Sequence, residues 1–242
     1  MPRGQPDYGI TTSTPVASGI SDPGEAAARL GGINVYDRRG WTVWMDDFEV
    51  PELKWDRLAI GGGIGPGLST TRAWMGIQSA YFNCPALPAP SASMYKSFPL
   101  LRLGKTGIEF FVFLNVQTPG YMRVRFRTFD RANRADAELR LDNQAQTATI
   151  VTPAGNIVVA TKCFNTAARL VWAPVKLVID MDTDFYTRLL ISEREIDLSA
   201  HALVGGGVTG EGLLWVDFSL IGDAVAEMFS YIDDFILTQN EP

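Results

Sequence analysis

Period-two alternation of apolar and polar residues constrains this chain more than any other feature. Met122, Val124, Phe126 and Thr128 fall on one side of an extended segment, and Arg123, Arg125 and Arg127 fall on the other. Successive side chains of a strand point to opposite faces, so this segment reads as a half-buried β-strand. Val175, Leu177, Ile179 and Met181 repeat the pattern, as do Leu214, Val216, Phe218 and Leu220. Thr42 to Glu49 alternates up to a break at Pro51, and Met228 to Thr238 is a further run. β-Branched and aromatic residues fill these runs, and Gly and Pro punctuate them. About a dozen strands at this spacing predict an all-β, antiparallel two-sheet β-sandwich.

Turn chemistry places several hairpins. Gln117-Thr118-Pro119-Gly120 reads as a turn joining strands 108–117 and 121–129. Thr152 to Asn156 turns strand 146–151 into 157–161, and Asp182-Thr183-Asp184 turns 175–181 into 185–192. Ser192 to Glu195 is a tight turn before Ile196-Asp197-Leu198.

Residues 1–40 differ from the rest. They hold Gly and Pro throughout and few large apolar side chains, so they cannot bury enough area to offset their ordering entropy. Ser21-Asp22-Pro23-Gly24-Glu25 offers an N-cap followed by Pro23 in a first turn, and Gly31-Gly32 follows Leu30. One short helix is expected there, ended by glycine. The division is therefore an extended N-terminal arm over 1–40 and a sandwich domain over 41–242.

Composition removes whole classes of function. The 27 acidic residues outnumber the 21 basic ones, for a net charge of −6, which repels a phosphate backbone and argues against nucleic acid. His201 is the one histidine, so poly-histidine metal sites are excluded. Cys84 and Cys163 could form one bridge but no disulfide framework, and in an intracellularly assembled protein free thiols are favoured. The longest apolar run, Ile108 and then Phe110 to Leu114, falls far short of the ~20 residues of a spanning helix, so no membrane partner is expected. The first residues lack the apolar core of a secretory signal.

The strand, turn, strand and short closing strand over Val175–Asp180, Tyr186–Ser192 and Ile196–Ser199 resemble a hairpin of the concanavalin A-like lectin/glucanase superfamily. Tyr231 to Leu237 resembles that superfamily's last strand, which pairs back beside an N-terminal strand like Asp46-Asp47-Phe48-Glu49. The resemblance covers roughly 42–238 and implies a jelly roll of two large sheets, with lectins among its members. The glucanase members carry Glu-x-Asp-x-x-Glu or Glu-x-Asp-x-Glu on one strand, and no string here matches. Asp47 and Glu49 share a face of the expected first strand but lack the third acid, so no enzyme activity is expected. The segment Arg3 to Gly9 resembles the leading segment of structural proteins in tailed-phage virions.

Candidate sites follow from residue chemistry. Asp180, Asp182 and Asp184 could offer hard oxygen ligands to Ca²⁺, although the Gly and closing Glu of an EF-hand are missing, and a solvated hairpin tip explains them as well. Glu109, Asp130, Asp136, Glu138 and Asp142 are scattered acids that suit an ordinary surface. Three arginines two apart repel unless acids or an anion lie opposite. Arg123, Arg125 and Arg127 therefore suit a subunit contact or an anionic-glycan face, or else cross-strand pairing with acids such as Glu138 or Glu109. Trp215 stands out among six tryptophans, because Leu214 and Val216 claim the inward face beside it. The glycine-rich loop Ile60 to Gly67 lacks the Lys-Ser/Thr of a phosphate cradle.

The leading expectation is a structural component of a virion or similar assembly. On it the sandwich is the body, and the arm tethers subunits through Tyr8, Ile10, Val16 and Ile20 to copies of itself or other virion proteins. No cofactor is expected, and the location would be the virion, assembled in the host cytoplasm. A carbohydrate-binding, lectin-like module is the alternative, with glycans as partners and Trp215 a candidate contact.

Overall fold

The computed structural model describes residues 36–37, 39–62, 64–99, 104–115, 120–130, 133–142, 144–164, 172–207, 212–223 and 225–242. The expected short helix over 21–30 and the arm anchors Tyr8, Ile10, Val16 and Ile20 lie outside the described residues. Within them the chain is all-β, with two eight-stranded antiparallel sheets packed as a sandwich.

The strands in chain order are β1 (Trp41–Asp46), β2 (Asp56–Ile60), β3 (Ile64–Ser69), β4 (Ser79–Cys84), β5 (Ser91–Pro99), β6 (Lys105–Leu114), β7 (Tyr121–Asp130) and β8 (Asn133–Asp142). They continue as β9 (Thr147–Thr152), β10 (Gly155–Thr161), β11 (Ala173–Asp180), β12 (Phe185–Ile191), β13 (Arg194–Asp197), β14 (Val204–Gly206), β15 (Leu213–Ile221) and β16 (Met228–Gln239). One sheet runs β13-β12-β11-β6-β16-β4-β3, with β1 also on β16. The other runs β10-β9-β8-β7-β15-β5-β2, with β14 on β8. We call them the β16 sheet and the β15 sheet.

The closing strand pairs back beside the first, with Asp46 opposite Phe235 and Thr42 opposite Thr238. The β9–β10, β11–β12 and β12–β13 hairpins form as the turn residues indicate. The expected hairpin of 108–117 with 121–129 does not form. β6 belongs to the β16 sheet and β7 to the β15 sheet, so the chain crosses the sandwich there. A Pro-Gly signal marks a reversal, and nothing local distinguishes a hairpin from a step to the opposite sheet.

Inward residues of both sheets make one core. Met122, Val124 and Phe126 pair with Leu220, Phe218 and Val216 along the β15 sheet, all fully buried. Trp55 stands edge-on to Phe235 and Phe218 with ring centroids 5.0 and 5.7 Å away. Its indole N–H donates to the buried carboxylate of Asp46, 3.0 Å away. Tyr186 reaches from β12 across the core to the other sheet. Its hydroxyl accepts from the Glu138 N–H at 2.9 Å and donates to the Val151 carbonyl at 2.8 Å. Burial raises this phenol well above its usual pKa.

The β16 sheet is covered on its outer side as well. Every residue of β6 from Thr106 to Leu114 is buried, and so is every residue of β16 from Ser230 to Thr238. Outside β6, Trp74 stacks on Phe111 at 4.7 Å and Arg72 lies over the Phe113 ring at 4.5 Å. The loop carrying Trp74 is pinned by Asp233, which accepts from the Trp74 and Met75 N–H groups at 2.7 and 3.3 Å. A strand buried on both faces reads as a continuous apolar run and not as an alternation. Ile108 and Phe110 to Leu114 are that run.

Candidate functional site

The outer face of the β15 sheet carries the arginine stripe. Register sets Arg123, Arg125 and Arg127 of β7 opposite Ser219, Asp217 and Trp215 of β15. On the other side they meet Arg140, Glu138 and Asp136 of β8. Tyr95 and Ser93 of β5 extend the Asp217 and Ser219 rows. Alternation places these groups outward because their neighbours fill the core.

The arginines are paired, but thinly. Arg125 donates through Nε to Asp217 at 3.3 Å, and Arg123 Nη2 lies 3.9 Å from the same carboxylate oxygen. Arg127 Nε and Arg134 Nε lie 2.6 and 3.2 Å from the two oxygens of Asp136. Two carboxylates thus answer four guanidinium groups. The expected partners Glu138 and Glu109 are not the ones used. Glu138 turns to Arg140 at 2.7 Å, and Glu109 lies on the other sheet. Burial, and next the charge of Arg125, press the Arg123 guanidinium below its usual pKa. The stripe is therefore short of negative charge.

Trp215 sits half-buried inside this stripe. The Arg127 guanidinium lies 4.7 Å from its ring centroid, that of Arg125 lies 5.7 Å away, and Tyr95 stands edge-on at 5.5 Å. Its indole N–H and the Nε–H of Arg123 find no hydrogen-bond partner among the described residues. A guanidinium has five N–H donors, and Arg125 uses its Nε on Asp217 while Arg123 uses its Nη2 on Ser219. The face therefore combines an aromatic edge with more donors than it has acceptors.

A second cluster, which the sequence does not announce, lies on the outer face of the β16 sheet. Lys176, Glu109 and Glu241 are buried there, and Tyr36, Asp37 and Arg39 dock on them through hydrogen bonds and ion pairs. Lys176 Nζ lies 2.8 Å from Glu241, 3.0 Å from Asp37 and 3.8 Å from Glu109. Glu109 accepts the N–H groups of Tyr36 and Asp37, and Lys176 donates to the Arg39 carbonyl at 2.9 Å. Arg188 pairs with Glu241, and Arg39 grips Glu195 through two bonds of 2.9 and 3.1 Å. Burial pushes the Glu109 carboxyl up to about 7, against the Lys176 charge and the two N–H groups. Burial alone would also raise Asp37, yet the hydrogen bonds and charges of Arg39 and Lys176 hold it below its usual value. The cluster docks Tyr36, Asp37, Arg39 and Glu241, and leaves the Arg188 Nε–H without a hydrogen bond among the described residues.

The remaining candidates fall in ordinary places. β1 ends at Asp46, and Phe48 takes a left-handed φ of 57°, so Asp47 and Glu49 do not share a strand face as expected. Glu49 instead accepts the Ile77 and Gln78 N–H groups at 2.8 and 3.0 Å. Asp180, Asp182 and Asp184 surround the β11–β12 turn, where the Asp182 N–H donates to Asp180 at 3.0 Å. Among the described residues no group of three or more His, Cys, Asp or Glu could hold a metal ion. Cys84 and Cys163 are both free and buried.

No family model matches this chain, and no curated protein matches it. Solved structures do. The endo-β-1,4-glucuronan lyase of the fungus Trichoderma reesei aligns with a TM-score of 0.57 at 10% identity, over 83% of this chain and 96% of that one. Cellulose induced protein Cip1 aligns with a TM-score of 0.48 at 13% identity, over 81% and 96%. A carbohydrate esterase, vb_24B_21 of the Shiga toxin-encoding bacteriophage phi24B, gives 0.46 at 11% identity, over 76% and 90%. The likeness to the lyase shows a shared fold, the antiparallel two-sheet β-sandwich.

Proposed function

We propose that this chain is a carbohydrate-binding module that takes acidic glycans on the outer face of the β15 sheet. The observation that carries the reading is the Arg123–Arg125–Arg127 stripe around Trp215, where two carboxylates answer four guanidinium groups. A glycan carboxylate supplies what that face lacks, since charge-assisted bonds to Arg are the strong ones. Sugar C–H groups suit the ring face of Tyr95, and hydroxyls suit the exposed Ser97 beside Trp215. The glucuronan lyase that shares the fold acts, by its name, on a polymer of acidic sugars, which makes oligoglucuronate a natural first probe.

On this reading the chain binds and does not cleave. The acids Asp47 and Glu49 are tied into a loop, and Asp217 and Asp136 are committed to arginines. Fluorescently labelled protein on a glycan array tests the reading. Signal should concentrate on carboxylated glycans and fall for Arg127→Ala. Signal confined to neutral glycans, or unchanged in Arg127→Ala, refutes it.

The assembly reading rests on the sequence of residues 1–35 and is compatible with this one. The sandwich would then present its glycan face from a virion or similar particle, with Tyr8, Ile10, Val16 and Ile20 as tethers to neighbouring subunits. Deleting residues 2–20 should lower oligomer mass and leave glycan binding unchanged. An unchanged oligomer mass removes the tether.

A further inference from the structure

A cleft of about 990 Å³ opens at one end of the sandwich, away from the arginine stripe. Its walls come from four places: Tyr36 ahead of β1, Gln146 ahead of β9, Lys162 just past β10, and Trp172 to Arg194 around the β11–β12–β13 edge. The volume lies at the upper end of what small-ligand sites enclose. Its lining is mixed in a chemically specific way. Tyr36 and Trp172 supply aromatic rings, Lys162 and Arg194 supply two positive charges, and Glu193 supplies one negative charge.

Each wall is held in place. The Tyr36 hydroxyl donates to the Ser192 carbonyl, and its backbone N–H is held by Glu109. Trp172 stands edge-on to Phe113 at 5.8 Å. Arg194 spends one Nη1–H on the Thr161 carbonyl at 2.7 Å. Lys162 has no hydrogen bond or ion pair among the described residues. Gln146, Lys162 and Ser192 all take left-handed φ values, of 56°, 55° and 52°. Such conformations cost free energy in residues other than glycine and gather where surrounding structure enforces them.

We propose that this cleft binds a single carboxylated sugar residue, a site separate from the arginine stripe and independent of it. The charges choose the ligand class. Two cations against one acid leave room for one negative charge, so a monocarboxylate balances the site, whereas Glu193 opposes a dianionic phosphate. The carboxylate lies between Lys162 and Arg194. The ring packs its C–H faces on Tyr36 and Trp172, and its hydroxyls meet Gln146, Ser192 and Glu193. Tyr36 makes residues 36–40 part of the site, so the buried cluster that docks them also completes a wall.

The test titrates the full chain with D-glucuronate, D-glucose and inorganic phosphate, read by calorimetry and by Trp fluorescence. Glucuronate should bind, and glucose should bind about tenfold more weakly, the cost of one charged hydrogen bond. The Arg125→Ala/Arg127→Ala double variant, which lacks the stripe's central guanidinium groups, serves as the parent for this test; it should still bind glucuronate, and adding Lys162→Gln should bring glucuronate down to the level of glucose. Equal binding of glucuronate and glucose overturns the proposal, as does a Lys162→Gln variant that binds like the parent. Phosphate binding as tight as glucuronate also overturns it, by reducing the site to an unspecific anion sink. Glucuronate binding by the unaltered chain but none by the Arg125→Ala/Arg127→Ala variant moves the ligand to the stripe, which ends this proposal and preserves the glycan face.

Discussion

Replacing Glu109 with Gln should change how stability depends on pH, and the size of the change follows from the structure. Glu109 is fully buried beneath residues 36–40, where four acids, Asp37, Glu109, Glu195 and Glu241, meet three cations, Arg39, Lys176 and Arg188. One proton on the cluster therefore balances it, and Glu109 is the group pushed up, from 4.5 to about 7. The folded state then binds a proton that the unfolded chain has released between these two values. Its contribution is full below about pH 4.5 and is lost as pH rises through about 7. At about 1.4 kcal/mol per pH unit, that window is worth about 3 kcal/mol. Urea unfolding at pH 5, 6, 7 and 8 should show the parent losing roughly that much more stability than Glu109→Gln across the series. Asp233, also pushed up to about 7 by burial, adds a slope of the same sign, but it is present in both proteins and cancels in the comparison. Parallel pH profiles for parent and variant would refute the assignment of the proton to Glu109. Hydrogen-exchange protection of the Tyr36, Asp37 and Arg39 amides, corrected for the intrinsic rise of exchange with pH, should fall as pH rises in the parent if the cluster acts by docking that segment.

Other outcomes follow from single contacts. Tyr186→Phe strips the partner from the Glu138 N–H and the Val151 carbonyl, both part-buried, and should cost about 1–3 kcal/mol in urea unfolding. A loss below about 0.5 kcal/mol would mean that water replaces the phenol. Gly107→Ala would set a Cβ 2.7 Å from Thr238 Oγ1, so overpacking of about 1–3 kcal/mol is expected from the same measurement. The Cys84 thiol, pushed up to about 11 by burial, and the Cys163 thiol, raised in the same way, should both resist thiol reagents until the chain unfolds. Fast labelling of either in native buffer would contradict their burial.

The half-buried strands were legible because one face meets the core and the other meets water. Met122 to Thr128 and Leu214 to Leu220 show it plainly, and their alternation turned the arginine stripe and Trp215 outward, each on its own strand; the β7–β15 register brings them to one face. β6 and β16 were legible as strands, over 108–117 and 228–238, but not as strands buried on both faces. Their outer faces are roofed by Trp74, Arg72 and residues 36–40, so both sides are buried and the period of two disappears. The crossing between β6 and β7 was hidden for a different reason. A turn signal is local, whereas the choice of sheet is made by strands distant in sequence. The cluster of Asp37, Glu109, Lys176, Arg188 and Glu241 was hidden likewise, since each residue read alone is an ordinary surface charge. The acids that neutralise the stripe, Asp217 and Asp136, were misassigned because register fixes cross-strand partners, and one step of register changes every pair.

The most direct test of the glycan face is a calorimetric titration of oligoglucuronate into the parent and into an Arg125→Ala/Arg127→Ala double variant at fixed salt. The parent should bind, and the double variant, kept at a temperature where its circular dichroism matches the parent's, should bind at least about tenfold more weakly. Parent and double variant binding the acidic oligosaccharide equally well would contradict the account.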